Sequence, residues 1–220
     1  MPGLLKNPGL ALGTVILAAG RSQRMGKPKL LLEWGKTSIL GHLLAQWQRL
    51  NSQQIVVVCA VDDAMIAREL ERLAFPSRQR VLNPEPDRGM FSSLQCAARW
   101  PDWEPNLTHW AVVLGDQPHL SAETLARVLE FSAALPDKIC QPRYDGHRRH
   151  PVVLPKWAFR QLADSGAHDF RAFLEQSPPD SAFCDLCDEG LALDLDHPAD
   201  YERAMKYFGP DLPVGGRAPE

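Results

Sequence analysis

A loop rich in glycine and positive charge is the segment of this chain best suited to chemistry. The apolar run Thr14–Leu17 stops at two alanines and a glycine, and positive charge follows at Arg24, Lys27 and Lys29. Glycine lets the backbone approach a ligand closely, main-chain N–H groups attract an anion, and the cations add to that attraction. The order of residues predicts a phosphate-binding loop over residues 18–29, at the end of a buried strand.

The loop differs from the two best-known phosphate motifs. Gly20 and Gly26 enclose five residues where a Walker loop has four, and Pro28 stands at the hydroxyl position. No G-x-G-x-x-G pattern follows the strand either. A plain strand-to-helix turn with solvated cations is the alternative interpretation.

A second candidate is Asp116, which follows the apolar run Val112–Leu114 within Gly115-Asp116-Gln117-Pro118. A carboxylate just beyond the carboxyl end of a buried strand faces the crevice where α/β proteins bind ligands. Such an oxygen suits Mg²⁺, which takes few protein ligands together with water and phosphate oxygens. The alternative is a turn that Asp116 caps locally.

Two more carboxylates lie near the end of the chain, at Asp194 and Asp196. A late strand over Leu191–Leu195 is predicted, and its alternation puts both on one face, so that either could supply a second metal ligand. Asp196 is the better candidate because it is nearer the turn. Asp200 is expected in the first turn of the closing helix, where its charge suits the helix dipole.

Alternating strand and helix patterns must position these side chains. Strands are predicted over Thr14–Ala18, Ile55–Ala60, Arg80–Leu82 and Trp110–Leu114, and helices over Ser38–Leu50, Asp63–Leu73 and Met90–Trp100. Strands such as Ile55–Ala60 are apolar on both faces, as expected when helices cover both sides of a parallel sheet. The fold class is therefore α/β, a three-layer, doubly wound and mostly parallel sheet.

The second half of the chain is less regular. Predicted there are the helix Ser121–Leu135 with a serine N-cap, the strands Ile139–Arg143 and Val152–Leu154 around a hairpin-like loop, the short helices Trp157–Leu162 and Phe170–Leu174, the strand Ala182–Leu186 and the closing helix Ala199–Phe208. We expect one domain over residues 1–208 and a frayed tail over 209–220.

Composition excludes several classes of function. Among 220 residues, 24 basic and 27 acidic side chains give a net charge of −3, so a nucleic-acid polymer is not an expected partner. No apolar run approaches the roughly 18 residues of a membrane span, and residues 1–12 do not look like a signal peptide. Five cysteines, including the pair Cys184 and Cys187, fit reduced thiols in a cytoplasmic protein.

Leu17–Lys29 resembles the signature L-A-A-G-x-S-x-R-M-G-x-x-K of the MobA-like nucleotidyltransferases, and within them the molybdenum-cofactor cytidylyltransferase branch. Gly115–Pro118 is similar to the family's metal-binding G-D-x-P turn, and Asp196–Asp200 to its late D-x-P-x-D element. Three further segments agree in order and spacing: Gly89–Leu94, Arg149–Leu154 and Ser165–Arg171. The resemblance runs from about Gly13 to Phe208.

Two segments depart from the family pattern where the acceptor is expected to bind. Arg149 replaces the usual glycine before His150-Pro151, and Gly166–Arg171 lacks a second glycine. The form Ala18-Ala19-Gly20 is typical of the cytidylyl branch, whereas the guanylyl branch more often has two glycines. This difference favours CTP moderately.

The resemblance implies a Rossmann-like nucleotidyltransferase fold, with a nucleotide-binding half over about 13–120 and an acceptor-binding half over about 121–208. It implies Mg²⁺-dependent transfer of CMP from CTP to the phosphate of a molybdopterin-type cofactor, with release of pyrophosphate. Transfer from GTP or another triphosphate to a different phosphorylated acceptor is one alternative. The other is a non-catalytic protein that delivers the finished cofactor to a molybdenum hydroxylase.

The resemblance also implies roles for individual residues. Catalytic roles fall to Arg24, Lys29 and Asp116, and metal binding to Asp116 and Asp196. Nucleotide binding falls to Leu17, Ala18, Ala19, Gly20, Arg21, Ser22, Arg24, Lys29, Ser92 and Ser93, and acceptor binding to Arg149, His150 and Arg171. Ser92 and Ser93 could instead cap a helix. The 147–150 loop is expected to form a cationic lip for the acceptor's phosphate, and a solvated hairpin tip is the alternative.

Overall fold

A mostly parallel sheet carries the chain's functional segments. The computed structural model describes residues 9–20, 28–176 and 180–210. The strands are β1 (Leu12–Leu17), β2 (Glu33–Trp34), β3 (Thr37–Ser38), β4 (Gln54–Ala60), β5 (Arg80–Asn83), β6 (His109–Leu114), β7 (Ile139–Tyr144), β8 (His147–Arg148), β9 (Val152–Pro155) and β10 (Ser181–Asp185).

The eight-stranded sheet has the order β10-β7-β9-β6-β1-β4-β5, with β8 paired to β7. Strands β6, β1, β4 and β5 run parallel to one another, and β10 runs parallel to β7. Strand β9 is antiparallel to β6 and to β7, and β2 and β3 form a separate two-stranded ribbon. The predicted fold class is confirmed.

Helices cover both faces of the sheet. They are α1 (Ile39–Arg49), α2 (Ala64–Arg72), α3 (Met90–Arg99), α4 (Ala122–Ala134), α5 (Lys156–Leu162), α6 (Phe170–Glu175) and α7 (Pro198–Phe208). One core cluster lies under α1, α2 and α4, and the other under α3, α5 and α6. All seven residues of β4 are buried, which is why that strand has no polar face.

Side-chain caps set where several helices begin. The Gly41 N–H donates to the Ser38 hydroxyl at 3.0 Å, and the Thr124 N–H donates to the Ser121 hydroxyl at the same distance. Asp63 accepts from two N–H groups at the start of α2. Short polar side chains that satisfy the first free N–H groups stabilise a helix start. The predicted serine N-cap at residue 121 is confirmed.

The predicted strand over Leu191–Leu195 is wrong. Residues Glu189–Ala192 form a 3-10 turn, and the Gly190 N–H donates to Asp188 Oδ1 at 2.9 Å. Leu191, Leu193 and Leu195 are buried in the α1 core cluster, so the alternation in sequence is real. It arises because an irregular segment packs every second side chain against the core.

The expected tail over 209–220 lies outside the described residues from 211 onward. Within the described ranges, no helix has the length and apolar character needed to cross a membrane.

A close approach at Gly115 generates a stability prediction. A Cβ atom there would lie 2.7 Å from Leu30 Cδ2 and 3.0 Å from the Leu17 carbonyl oxygen. We expect Gly115→Ala to lower the free energy of unfolding by about 1–3 kcal/mol, because the backbone at Leu17 must shift. Urea denaturation measures the change. Gly166→Ala is the control, since its Cβ would meet no atom within 4 Å; equal stability of the two variants would contradict the prediction.

Candidate active site

Two neighbouring strands deliver the first site residues to one edge of the sheet. Strand β1 ends at Leu17 and β6 at Leu114, and these two residues are partners in the parallel register. The Ala18 N–H donates to the Val58 carbonyl at 2.8 Å, which continues the sheet by one residue. The chain then reaches exposed Gly20. Residues 18–20, which begin the expected phosphate-binding loop, and the Gly115-Asp116 turn therefore leave the sheet side by side.

An ammonium group joins two carboxylates at this edge. Lys29 Nζ lies 2.8 Å from Asp116 Oδ2 and 3.5 Å from Asp196 Oδ1, and it donates to the Leu195 carbonyl at 3.3 Å. The exposed fractions of the three side chains are 17%, 20% and 35% for Lys29, Asp116 and Asp196. The structure thus brings together residues that are 87 and 167 positions apart from Lys29 in sequence.

Backbone contacts hold Asp196 in place. The Leu195 N–H donates to the Asp116 carbonyl at 3.2 Å, which ties the late segment to the turn after β6. The N–H groups of Asp196 and His197 donate to Asp200 Oδ2 at 3.2 and 2.7 Å. Asp200 is part of a capping box at the start of α7, so its predicted place in the first helical turn is confirmed.

Asp194 lies close to the same cluster but has a different partner. Gln117 Nε2 donates to Asp194 Oδ1 at 2.8 Å. Desolvation raises the pKa of the Asp194 carboxyl, and the negative charge of Asp116 raises it further. The expected shared strand face for Asp194 and Asp196 does not exist, because the segment is irregular. Both carboxylates still reach the surroundings of Asp116.

The donor set fits a divalent cation of the magnesium type. Asp116 Oδ1 is buried and has no hydrogen-bond partner in the described part of the chain. Mg²⁺ is commonly held by one or two carboxylates, with water and substrate phosphates completing its shell. Within the described ranges, no three His, Cys, Asp or Glu side chains are grouped to hold a metal. Asp116 and Asp196 would therefore hold such an ion together with a phosphate ligand.

The expected acceptor residues Arg149 and His150 follow the β7–β8 hairpin. The Arg149 N–H donates to the Pro142 carbonyl at 2.9 Å, and its positive charge acts on Asp194. Burial lowers the pKa of the His150 imidazole to about 4, although a hydrogen bond to the Val112 backbone opposes the shift. The ring is neutral at pH 7, so it adds no charge to a cationic lip. The predicted roles of both residues in acceptor binding stay predictions.

The third expected acceptor residue, Arg171, lies in the short helix α6. Its guanidinium donates to Glu175 Oε1 at 2.9 Å, and 84% of the side chain is exposed. The preceding residue, Phe170, has its ring 6.3 Å from the His150 ring. Helix α6 therefore borders the His150 region, while the Arg171 head group is paired on the surface.

Ser92 and Ser93 are buried, with 6% and 3% of their surfaces exposed. Asn83 Nδ2 donates to both hydroxyls, at 2.8 and 2.9 Å. These contacts tie both serines to the end of β5, and α3 begins at Gly89 without a side-chain cap, so the alternative of a capping role is not seen. The predicted contact of both serines with the nucleotide stays a prediction. Asn83 is a residue that the sequence analysis missed. It follows the predicted strand Arg80–Leu82 as a polar residue, and this pattern, which identified Asp116, indicates Asn83 as well.

Three expected nucleotide-binding residues, Arg21, Ser22 and Arg24, lie outside the described residues. Leu17, Ala18, Ala19 and Gly20 are described up to the point where the loop leaves the sheet. Leu17 packs partly against the α3 core cluster, and Ala18 and Ala19 are buried. Any ligand contact of Ala18 and Ala19 is therefore made chiefly by the backbone.

A mostly parallel sheet with Gly20, a lysine and two converging carboxylates at its carboxyl edge defines an α/β protein of the nucleotide-binding class. Residues 14–181 match the model of the MobA-like NTP transferase domain. That match covers more than half of the chain, so this chain belongs to the MobA-like NTP transferase family. The resemblance noted from the sequence is confirmed, and the chain is a nucleotidyltransferase.

Two relatives have names that specify different nucleotides, one cytidylyl and the other guanylyl. The molybdenum cofactor cytidylyltransferase of Escherichia coli K12 is 25% identical over 201 residues, which are 90% of this chain and 97% of that protein. The molybdenum cofactor guanylyltransferase of Rhizobium johnstonii is 33% identical over 138 residues. That match covers 63% of this chain and 59% of the relative's length.

A solved structure extends the comparison. Rv0371c of Mycobacterium tuberculosis H37Rv is 28% identical and has a TM-score of 0.65, over 89% of this chain and 97% of that chain. The same protein has been determined in complex with manganese, and that structure matches with a TM-score of 0.61 at 26% identity.

The position of Lys29 generates a prediction about metal binding. Its ammonium neutralises the two carboxylates that would otherwise attract a cation. We expect Lys29→Met to bind Mn²⁺ about tenfold more tightly than the unaltered protein when no nucleotide is present, because the competing charge is gone. Electron paramagnetic resonance titration of free Mn²⁺ measures this affinity.

Lys156→Met is the matched control, because Lys156 Nζ donates to the Pro105 carbonyl at an exposed place away from the carboxylates. Its Mn²⁺ affinity should equal that of the unaltered protein. Weaker or unchanged Mn²⁺ binding by Lys29→Met would show that the ammonium does not compete for the metal position.

Proposed function

We propose that this chain transfers CMP from CTP to the phosphate of a molybdopterin-type cofactor and releases pyrophosphate, with Mg²⁺ as the cofactor. The observation that carries the proposal is the convergence of Lys29, Asp116 and Asp196 beside the 18–20 segment. A positive group and a site for a cation at the edge of an anion-binding loop suit a triphosphate. The relatives named for transfer to the molybdenum cofactor supply the acceptor class.

In the proposed reaction, a phosphate oxygen of the acceptor attacks the α-phosphorus of CTP. The new P–O bond forms as the bond to the β-phosphate bridging oxygen breaks, and pyrophosphate leaves with that oxygen. The acceptor phosphate is already an anion near neutral pH, so the step needs no general base. The protein's task is to align two anionic reactants and to offset their charge.

Residues at the edge of the sheet divide this task. Lys29 would bind phosphate oxygens of the triphosphate, and N–H groups of the 18–22 segment would hold its phosphates or base. Asp116 and Asp196 would hold Mg²⁺, which when bound offsets phosphate charge and polarises the α-phosphorus. We assign Arg24 to the triphosphate with Lys29, following the family signature.

The choice of CTP rests on two observations. Ala18-Ala19-Gly20 has the alanine form of the cytidylyl branch. The cytidylyltransferase relative also aligns over 90% of this chain, whereas the guanylyltransferase aligns over 63%. GTP is the second candidate because the guanylyltransferase is the more identical of the two, at 33% against 25%.

The acceptor is assigned to the half of the site beyond β6. Arg149 and His150 lie where the chain enters β9, next to the Asp116 and Asp194 carboxylates. Arg149 Nε and His150 Nδ1 are buried without a hydrogen-bond partner among the described residues. These groups would face the polar part of the acceptor, and Arg171 would contribute from α6.

We also assign the protein to the cytoplasm and give it a molybdenum hydroxylase as the recipient of its product. All five cysteines are free thiols, which supports a reducing compartment. The assignment of a molybdenum hydroxylase as the recipient rests only on the resemblance to the cytidylyltransferase branch.

A pyrophosphate-release assay with CTP, GTP, ATP and UTP, with and without molybdopterin, tests the function. We expect release that requires both Mg²⁺ and molybdopterin, and that is fastest with CTP. Faster release with GTP would replace the proposed base. Tight binding of the finished dinucleotide cofactor, with no turnover of any triphosphate, would contradict the enzymatic role and favour the delivery protein.

Variants of the carboxylates separate the proposed ligands within the same assay. Asp116→Asn and Asp196→Asn should each lower turnover by about 100-fold, the order expected for loss of one electrostatic contact to the reacting phosphates. Asp194→Asn should lose less, because Asp194 is held by Gln117. Asp145→Asn, in an exposed turn, is the control. Near-normal turnover of folded Asp116→Asn would refute the metal assignment.

A further inference from the structure

The loop between β5 and α3 is exposed above a buried polar network. Residues 84, 85 and 87–90 are exposed, whereas Asn83, Ser92 and Ser93 beneath them are buried. Only 1% of the Asn83 surface is accessible, so this side chain cannot touch a ligand directly. A buried amide with several partners is costly to maintain unless each polar group is satisfied. Every polar atom of the Asn83 amide has such a partner.

Asn83 uses both ends of its amide group to hold the loop. Its Nδ2 donates to Ser92 Oγ and Ser93 Oγ, and its Oδ1 accepts from the Glu85 N–H at 2.9 Å. Ser92 Oγ in turn is 3.0 Å from the Glu85 carbonyl and 2.8 Å from the Gly89 carbonyl, to which it donates. One side chain thus joins the end of a strand, the loop and the first turn of α3.

The loop held by these hydrogen bonds has an unusual backbone conformation at Gly89. Gly89 has φ +84° and ψ −176°, a conformation that L side chains rarely adopt, and it precedes α3 without any side-chain cap. Ser92 has a single hydroxyl proton, and two loop carbonyls are within its reach. In this arrangement both serine side chains are too buried to contact a base. The exposed backbone of the loop is therefore the part available to a ligand.

The location of the loop links it to the nucleotide. Helix α3 packs across β1, β4 and β5, and it begins at the edge where these parallel strands end. Phe91 at its start belongs to the core cluster against which Leu17 packs. Strand β5 lies two strand spacings, each about 4.8 Å, from β1. Loop 84–89 follows β5 and Ala18 follows β1, so one bound nucleoside is long enough to reach from Ala18 to this loop.

We propose that Asn83 is a positioning residue, which fixes loop 84–89 and the first turn of α3 in the shape that receives the base and ribose of the triphosphate. The inference rests on the proposed function, because it assumes a nucleoside triphosphate at this edge. It adds a second contact region for the nucleoside: the phosphates bind along the 18–29 segment, and the loop held by Asn83 discriminates among bases together with residues 18–20. Asn83 acts through the loop and makes no ligand contact.

Equilibrium binding measurements separate the binding of the phosphates from the binding of the base and ribose. Calorimetric titrations in the presence of Mg²⁺ compare CTP, GTP and inorganic tripolyphosphate as probes. We expect Asn83→Ala to bind the preferred nucleoside triphosphate about tenfold more weakly and to lose most of its preference between CTP and GTP. Tripolyphosphate affinity should stay unchanged, because this probe has no base or ribose.

The control variant removes a similar buried amide at the opposite edge of the sheet. Gln54 is 7% exposed, donates to the Asp102 carbonyl and accepts from the Glu104 N–H, both at 2.8 Å. Gln54→Ala should lose comparable thermal stability but keep the base preference. A merely structural role for Asn83 would make the two variants behave alike in nucleotide binding.

Asn83→Asp keeps the experiment decisive if Asn83→Ala does not fold. The carboxylate keeps an acceptor for the Glu85 N–H, and the serine hydroxyls can turn to donate to it. We expect a smaller loss than in Asn83→Ala, again limited to nucleoside triphosphates. If the unaltered protein binds no triphosphate, the proposed function fails. If it binds and discriminates, and the folded Asn83 variants do the same, this inference alone is overturned.

Discussion

The charge balance among Lys29, Asp116 and Asp196 is the constraint on which the rest of the site depends. Two carboxylates at one edge of a sheet repel each other unless a positive charge lies between them, and here Lys29 Nζ supplies it. In the proposed reaction, Lys29 would pair with phosphate oxygens, and Asp116 and Asp196 would hold a divalent cation. The hydrogen bond from the Leu195 N–H to the Asp116 carbonyl keeps these groups together, and Gly115 leaves no room for a Cβ atom between Leu30 and the end of β1.

The fold could be predicted from the sequence wherever periodicity and packing agree. The strands around Ile16, Val57 and Val112 are apolar on both faces, and the caps at Ser38 and Ser121 stand where short polar residues precede helical patterns. The exception is the 191–195 segment, in which buried leucines alternate without strand pairing. Alternation reports which side chains are buried, and it cannot tell a strand from an irregular segment packed on a core.

The sequence predicts a site residue where a carboxylate follows the end of a buried strand, as Asp116 does. Sequence reasoning could not place Lys29 between the two aspartates, because no local pattern encodes contacts between residues so far apart in sequence. It also predicts that Ser92 and Ser93 bind the nucleotide, and it could not show that both are buried beside Asn83. His150 was expected on a cationic lip, yet burial keeps its imidazole neutral. These outcomes depend on long-range contacts and on burial, and only the folded chain defines either.

Anomalous diffraction from crystals soaked with MnCl₂ and CTP tests the central claim most directly, because it locates the cation without assuming any activity. The account predicts one strong manganese peak within bonding distance of the Asp116 and Asp196 carboxylates and of CTP phosphate oxygens, with Lys29 Nζ displaced from between them. A manganese peak held by other residues, with Lys29 still paired to both aspartates beside bound CTP, would contradict it.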